Sequence, residues 1–411
     1  MRAPSLWILL SALLISSSVF SQEVPPSPAA TGELEPLFLA SLDFYGELVR
    51  TPNGLYRDAY LTDRPGQPND HCSIAAVGVG LMALCMEHEL GRDSKARGKA
   101  MQTLRALNGK AGEFKIDREK AGFFRHFFSA KTGKGRSEFS TIDTAIMAVG
   151  ALFCRNTFDD PRIKAEADML WASINWGVAL ASPRGDRLHM VIEDGVPRAK
   201  ARTKLFNEYY LLAWLIKESQ IKKTGNSDII SLKELPTWNH RDLTLLDDGR
   251  KKAQCSFLIQ FPLYMCHPCT IDPVYRRFVL NQAKADQRAC LKRTGVAEFW
   301  GCGAGGTPSN GYVASKYDNN PDSLVAPRII AGFMPAYPAA REHLLQLYRD
   351  PNRRLKTRVG DLLPRFSVEK PDWRPRRIES IDFASMLFGL AAIHPELGMK
   401  FFQEKTKFTF K

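Results

Sequence analysis

Gly122-Phe-Phe-Arg-His-Phe-Phe128 leads, through Lys131-Thr-Gly133 and Glu138-Phe, into Ser140-Thr-Ile-Asp-Thr-Ala-Ile-Met-Ala-Val-Gly-Ala-Leu-Phe153. The first part crowds aromatic rings and ionisable groups into one loop. The second part is a helix pattern whose apolar residues, Ile142, Ala145, Ile146, Val149 and Leu152, nearly encircle the axis. Ala75, Val77, Val79, Leu81, Met82 and Leu84 do the same over 73–90. Helices that are apolar all round are buried on both sides. Alternating inner and outer helices of a toroid create that need, so the pattern predicts an all-α chain of the (α/α)6 type with long loops over one face.

The same period-3.6 reading extends along the chain. It predicts helices over 34–49, 73–90, 95–107, 140–153, 163–180, 204–218, 273–292, 326–334, 339–348 and 378–393. Asp160-Pro161 gives a cap with proline in the first turn, and Ser140 caps the helix that carries Asp143. Gly91 and Gly109 read as helix stops. The stretch 220–267 reads as a long loop excursion with short strands. No internal repeat and no interdomain linker is visible.

The amino-terminal segment reads as a secretory signal. Arg2 precedes an apolar stretch, 6–14, that is too short to span a bilayer. Val19-Phe-Ser21 places cleavage near Ser21, and no lipid-acceptor cysteine follows. Residues 22–33 are expected as a flexible spacer and 34–411 as a single catalytic domain. The expected location is secreted or periplasmic, with no membrane partner after cleavage.

The 411 residues carry a formal charge of +13 and are 44% hydrophobic, enough for a large core. The basic residues are scattered and no nucleic-acid-binding fold motif accompanies them, so a nucleic-acid partner is not expected. Eight cysteines in an exported chain permit disulfides. Cys266-His-Pro-Cys269 has neither the second pair of a zinc site nor the helix context of a redox dithiol. It reads as a structural disulfide or as buried thiols. His71, His126, His189, His240 and His267 lack metal-ligand spacing, so no metal and no cofactor is expected.

Three further constellations carry chemistry. Glu208, in Lys204-Leu-Phe-Asn-Glu-Tyr-Tyr-Leu-Leu-Ala-Trp214, is the only carboxylate of an apolar helix start. Desolvation there would raise its pKa and suit a general acid, while a dipole-stabilised, water-exposed glutamate fits the same letters. Trp300-Gly-Cys-Gly-Ala-Gly-Gly-Thr-Pro-Ser-Asn-Gly-Tyr312 lacks the Lys-Ser/Thr of a phosphate loop. It reads instead as a loop bringing Trp300 and Tyr312 to the apolar faces of sugar rings. Asp382, in Ile381-Asp-Phe-Ala-Ser, opens another apolar helix and is either a site carboxylate or a helix cap.

Taken in order, these segments resemble the glycoamylase-like (α/α)6-toroid group that contains the endo-β-1,2-glucanases and the transglycosylase domain of cyclic β-1,2-glucan synthases. The resemblance runs from about Gly54 to about Phe401. It implies Glu208 as general acid, Asp382 as general base acting through water, and Asp143 as a substrate-binding carboxylate and rival base. It implies Phe124, Arg125, His126, Thr141, Asn207, Trp300, Tyr312 and Asp322 along the substrate. Inversion would follow, with carboxyls standing ~6.5–9.5 Å apart. The group reads Asn-Glu-Ala where this chain has Asn207-Glu-Tyr209, and Ile-Asp-Gln-Gly-Pro where it has Ile381-Asp-Phe-Ala-Ser385, so the branch is divergent.

The expected function is endo-hydrolysis of β-1,2-glucan to short oligosaccharides. The alternatives are a transglycosylase or phosphorylase on the same glucans, a non-catalytic periplasmic glucan-binding protein, and a lyase acting on an anionic polysaccharide. Oligomeric state is not legible.

Overall fold

The structure is a computed structural model that describes residues 28–409. The expected signal segment, 1–21, and residues 22–27 of the expected spacer lie outside them. The helices are α1 (Pro28–Asp43), α2 (Ile74–Glu89), α3 (Ala96–Leu107), α4 (Thr141–Thr157), α5 (Pro161–Ala172), α6 (Tyr210–Thr224) and α7 (Phe257–Met265). They continue with α8 (His267–Ile271), α9 (Pro273–Thr294), α10 (Pro327–Phe333), α11 (Pro338–Arg349), α12 (Ser380–Ile393) and α13 (Gly398–Lys405).

Six of these form a closed inner ring. Helix α2 packs on α4, α4 on α6, α6 on α7, α7 on α10, α10 on α12, and α12 back on α2. Helices α1, α3, α5, α9 and α11 lie outside it, each against a ring member or its outer neighbour. This is the all-α toroid that the doubly buried helices predicted. Every residue from Ile74 to Glu87 is buried, and every residue from Thr141 to Arg155 except Asp143.

The ring closes on small residues. A Cβ on Gly150 would stand 2.2 Å from the carbonyl oxygen of Gly78, and a Cβ on Gly389 would stand 2.0 Å from that of Ala331. At the carboxyl ends of the ring, α13 plugs the opening. Its Phe402 meets Tyr264 of α7 and Phe388 of α12, with ring centroids 4.9 and 5.9 Å away, and Phe401 lies 5.9 Å from Phe153 of α4.

At the amino ends, two-stranded ribbons deliver the chain into the helices. Ala59–Leu61 pairs with Arg377–Glu379 ahead of α12. His71–Ser73 pairs with Phe127–Ser129 ahead of α2, and Leu324–Val325 with Phe366–Ser367 ahead of α10. The caps fall where expected. Ser140 accepts from the Asp143 amide, Asp160 from that of Arg162, and Gly91 and Gly109 adopt positive φ just past their helices.

Three expectations change. Helix α1 opens at Pro28, so 28–33 are helical rather than spacer. Helix α6 starts at Tyr210, not 204, because 202–204 pairs as strand Arg202–Lys204 with Arg187–His189 and a turn follows. The expected loop 220–267 contains a hairpin, Thr237–His240 with Leu243–Leu246, and also α7, a ring member. Pro262 inside a nine-residue apolar run hid that helix from periodicity.

The close approach of α2 and α4 makes Gly150→Ala a test of the ring. Overpacking against backbone should lower unfolding free energy by about 2–3 kcal/mol in a urea titration, whereas Gly98→Ala, at a glycine with open space around its Cα, should leave it nearly unchanged.

Candidate active site

Three carboxyls meet at the amino-terminal mouth of the ring. Asp143 stands in the first turn of α4 because Ser140 caps that helix. The Ser140 hydroxyl also donates to Asp143 Oδ2. Asp382 stands in the first turn of α12, buried, where its Oδ2 accepts a hydrogen bond from the Tyr312 hydroxyl at 2.8 Å. Glu208 lies in the turn just ahead of α6. Asn207 shapes that turn, donating to Thr203 Oγ1 and Lys204 O and accepting from the Tyr209 amide.

Electrostatics ties the three together. Glu208 keeps some surface, but its carboxyl is densely surrounded. Desolvation, then repulsion from Asp143 and Asp382, pushes its pKa up to about 8, against a smaller opposing pull from His126. A carboxyl in that state is protonated at neutral pH and can donate.

His126 supplies the compensating charge. Its ring stacks on Phe127 with centroids 3.7 Å apart. Nδ1 lies 3.0 Å from Glu138 Oε1 and Nε2 lies 3.7 Å from Asp143 Oδ1. Desolvation disfavours the imidazolium, yet attraction to Asp143 and the bond to Glu138 outweigh it and raise the pKa to about 9. The charged histidine thus stands beside Asp143.

Other expected site residues fall elsewhere. Phe124 is fully buried, with the Arg118 guanidinium 4.4 Å above its ring, so it cannot face a sugar. Trp300 is also fully buried. Its indole donates to His343 Nδ1 at 3.1 Å and stacks near Phe333 behind the ring. Thr141 is buried and donates to the His189 carbonyl at 2.7 Å. Arg125 is held by Asp117 and the Ser137 carbonyl and lies 4.1 Å over Phe139. Asp322 braces the hairpin that carries Tyr312, accepting from Ser309 at 2.7 Å. Of the expected aromatic platforms, Tyr312 alone is exposed, at 51%.

Two residues that the sequence reading did not single out belong to the site. Glu379, buried at the end of its ribbon, has its pKa raised by desolvation and by Asp382, and it accepts from Arg377 Nε at 3.1 Å. Asp58 sits across the same ribbon. Its pKa is raised by desolvation, lowered by Arg377 and His126, and raised by Asp382. Glu379 was legible as the residue three before Asp382. Asp58 has no flanking signal.

The eight cysteines are buried thiols, with Sγ atoms in contact for Cys85 and Cys154 at 3.6 Å and for Cys290 and Cys302 at 3.7 Å. Cys290 and Cys302 also share a buried cluster with Asp286. That carboxylate is already met by Ser256, Cys290 and the Cys302 amide.

Neither a family model nor a curated protein matches the sequence. Solved structures do match its fold. An endo-β-1,2-glucanase from Chitinophaga pinensis, in complex with sophorotriose and glucose, superposes with a TM-score of 0.75 at 18% identity, covering 92% of this chain and 95% of the other. The fold is that of the β-1,2-glucanase toroids. A β-1,2-glucanase from Parabacteroides distasonis gives 0.71 at 18% identity, covering 92% of this chain and 60% of its own. The endo-β-1,2-glucanase of Talaromyces funiculosus, in complex with sophorose, gives 0.63 at 10% identity, covering 91% and 85%. Within this toroid the amino ends of the inner helices hold Asp143, Asp382 and Glu208 close enough to repel one another.

The cluster makes a direct prediction for His126. Its imidazole should titrate near pH 9 in a two-dimensional NMR titration, and Asp143→Asn should bring that value down by about one unit or more. A midpoint near the ordinary histidine value in the unsubstituted protein would contradict the ion-pair arrangement.

Proposed function

We propose that this protein is an exported glycoside hydrolase that cuts linear β-1,2-glucan internally, releases short oligosaccharides and inverts the anomeric carbon. The feature that carries the reading is Glu208, its pKa raised to about 8 by burial and by Asp143 and Asp382, on a toroid fold like that of known β-1,2-glucanases. The amino-terminal signal pattern supports export.

In this reading Glu208 gives its proton to the glycosidic oxygen as the bond to the anomeric carbon breaks. Asp382 takes a proton, directly or through a sugar hydroxyl and a water chain, from the water that attacks the opposite face. Tyr312 engages only Oδ2 of Asp382, so the other oxygen is available to that water. Asp143 suits binding rather than the base role, because His126 and Ser140 already engage its oxygens. After turnover Glu208 is a carboxylate and Asp382 carries the proton, and exchange with solvent restores both.

Incubation with a panel of β-linked glucans tests the substrate. New reducing ends are expected from β-1,2-glucan, with the α-anomer appearing first by NMR. Cleavage of another glucan and not this one would end the linkage assignment. Glu208→Gln should cut turnover about 10³-fold while the thermal unfolding midpoint stays within a few degrees, since one general acid contributes about 10²–10⁴. Near-normal activity would remove Glu208 from the acid role.

A further inference from the structure

A second feature lies near the carboxyl cluster. A groove of about 750 Å³ opens between the Ala59–Leu61/Arg377–Glu379 ribbon and the segment 127–137. Phe127, which stacks on His126, and Asp58, which feels both His126 and Asp382, form its inner end. The groove therefore borders the carboxyl cluster through Asp58 and Phe127.

Its outer walls are basic. Arg64, Lys134, Arg136 and Arg377 line it, and Asp58, at the inner end, is its one carboxylate. Three of these cations have one carboxylate partner each. Lys134 meets Asp117 at 2.9 Å with 71% of its side chain exposed, and Arg64 meets Asp63 at 3.5 Å with 58% exposed. Arg377 meets Glu379 at 3.1 Å. Arg136 is exposed and has no ion-pair partner among the described residues. Exposed pairs of this kind hold their cations weakly, at about 0–1 kcal/mol each.

A bare glucan has only hydroxyls to offer, and hydroxyls do not call for four cations. Scattered surface lysines and arginines would be expected on any chain of charge +13. These four instead converge on a concave wall, where field lines focus on a bound anion. Guanidinium groups match the planar oxyanions of carboxylates and phosphates.

We propose that the groove binds a glucan sugar bearing an anionic ester substituent, so that the protein prefers β-1,2-glucan decorated with oxyanion groups over the bare chain. The substituent is a phosphate ester or the half-ester of a dicarboxylic acid, attached to a sugar lodged beside the scissile bond. This rests on the hydrolase reading above and deepens it.

The test compares bare β-1,2-glucan with the same polymer chemically succinylated and chemically phosphorylated. At low ionic strength kcat/KM should favour at least one anionic polymer by about tenfold, and the advantage should fade near 0.5 M salt, where the Debye length shrinks to roughly 4 Å. The double variant Arg64→Ala, Arg136→Ala should erase the preference and leave kcat/KM on bare glucan unchanged. A preference for one polymer alone identifies the substituent. Equal kcat/KM on all three, or an equal drop on all three in the variant, overturns the proposal. Should no polymer be cleaved, the hydrolase reading fails, and equilibrium binding of the three polymers decides this proposal by the same comparison.

Discussion

Carboxyls crowded together away from water cannot all carry charge, and the mouth of the ring is organised around that constraint. Asp143, Glu208 and Asp382 come from three different helix starts. Their mutual repulsion, added to desolvation, leaves Glu208 holding a proton. His126 limits the excess negative charge from one side, and Arg377, paired to Glu379, limits it from another. Burial and like charge thus set Glu208 apart as a carboxyl whose pKa is raised to about 8.

The toroid makes that clustering possible. Six inner helices run side by side, and their first turns converge on one mouth while α13 plugs the other. The α2–α4 and α10–α12 pairs approach so closely that side chains are absent at Gly78, Gly150 and Gly389. The residues that face the mouth are consequently few, and α4 shows it: Asp143 is the single residue between Thr141 and Arg155 that is not buried. Ribbons of two to three residues per strand then set where each chain enters its helix. The groove beside the site lies along one such ribbon.

Much of this was legible in the letters. The helices apolar on all sides announced the double layer, and Ser140 and Asp160 announced their caps. Asp143, Glu208 and Asp382 stood out as acids at the starts of apolar helices, and the structure sets all three near enough to interact electrostatically. What the letters could not show is where a ring points. Phe124 and Trp300 lie in the motifs that suggested a sugar platform, yet both are core, because burial depends on the direction of the side chain and not on its company in the sequence. Asp58 joins the site through tertiary pairing of its ribbon with residues more than three hundred positions away. Helix α7 was hidden because a short apolar run with an internal proline carries no period.

The central claim is that Glu208 keeps its proton at neutral pH. Infrared difference spectroscopy of the unsubstituted protein against Glu208→Gln measures this directly. The account predicts a protonated-carboxyl C=O band at pH 7 that belongs to Glu208 and disappears with a midpoint near 8. Absence of that band at pH 7, with loss at the ordinary glutamate value near 4.3, would contradict it.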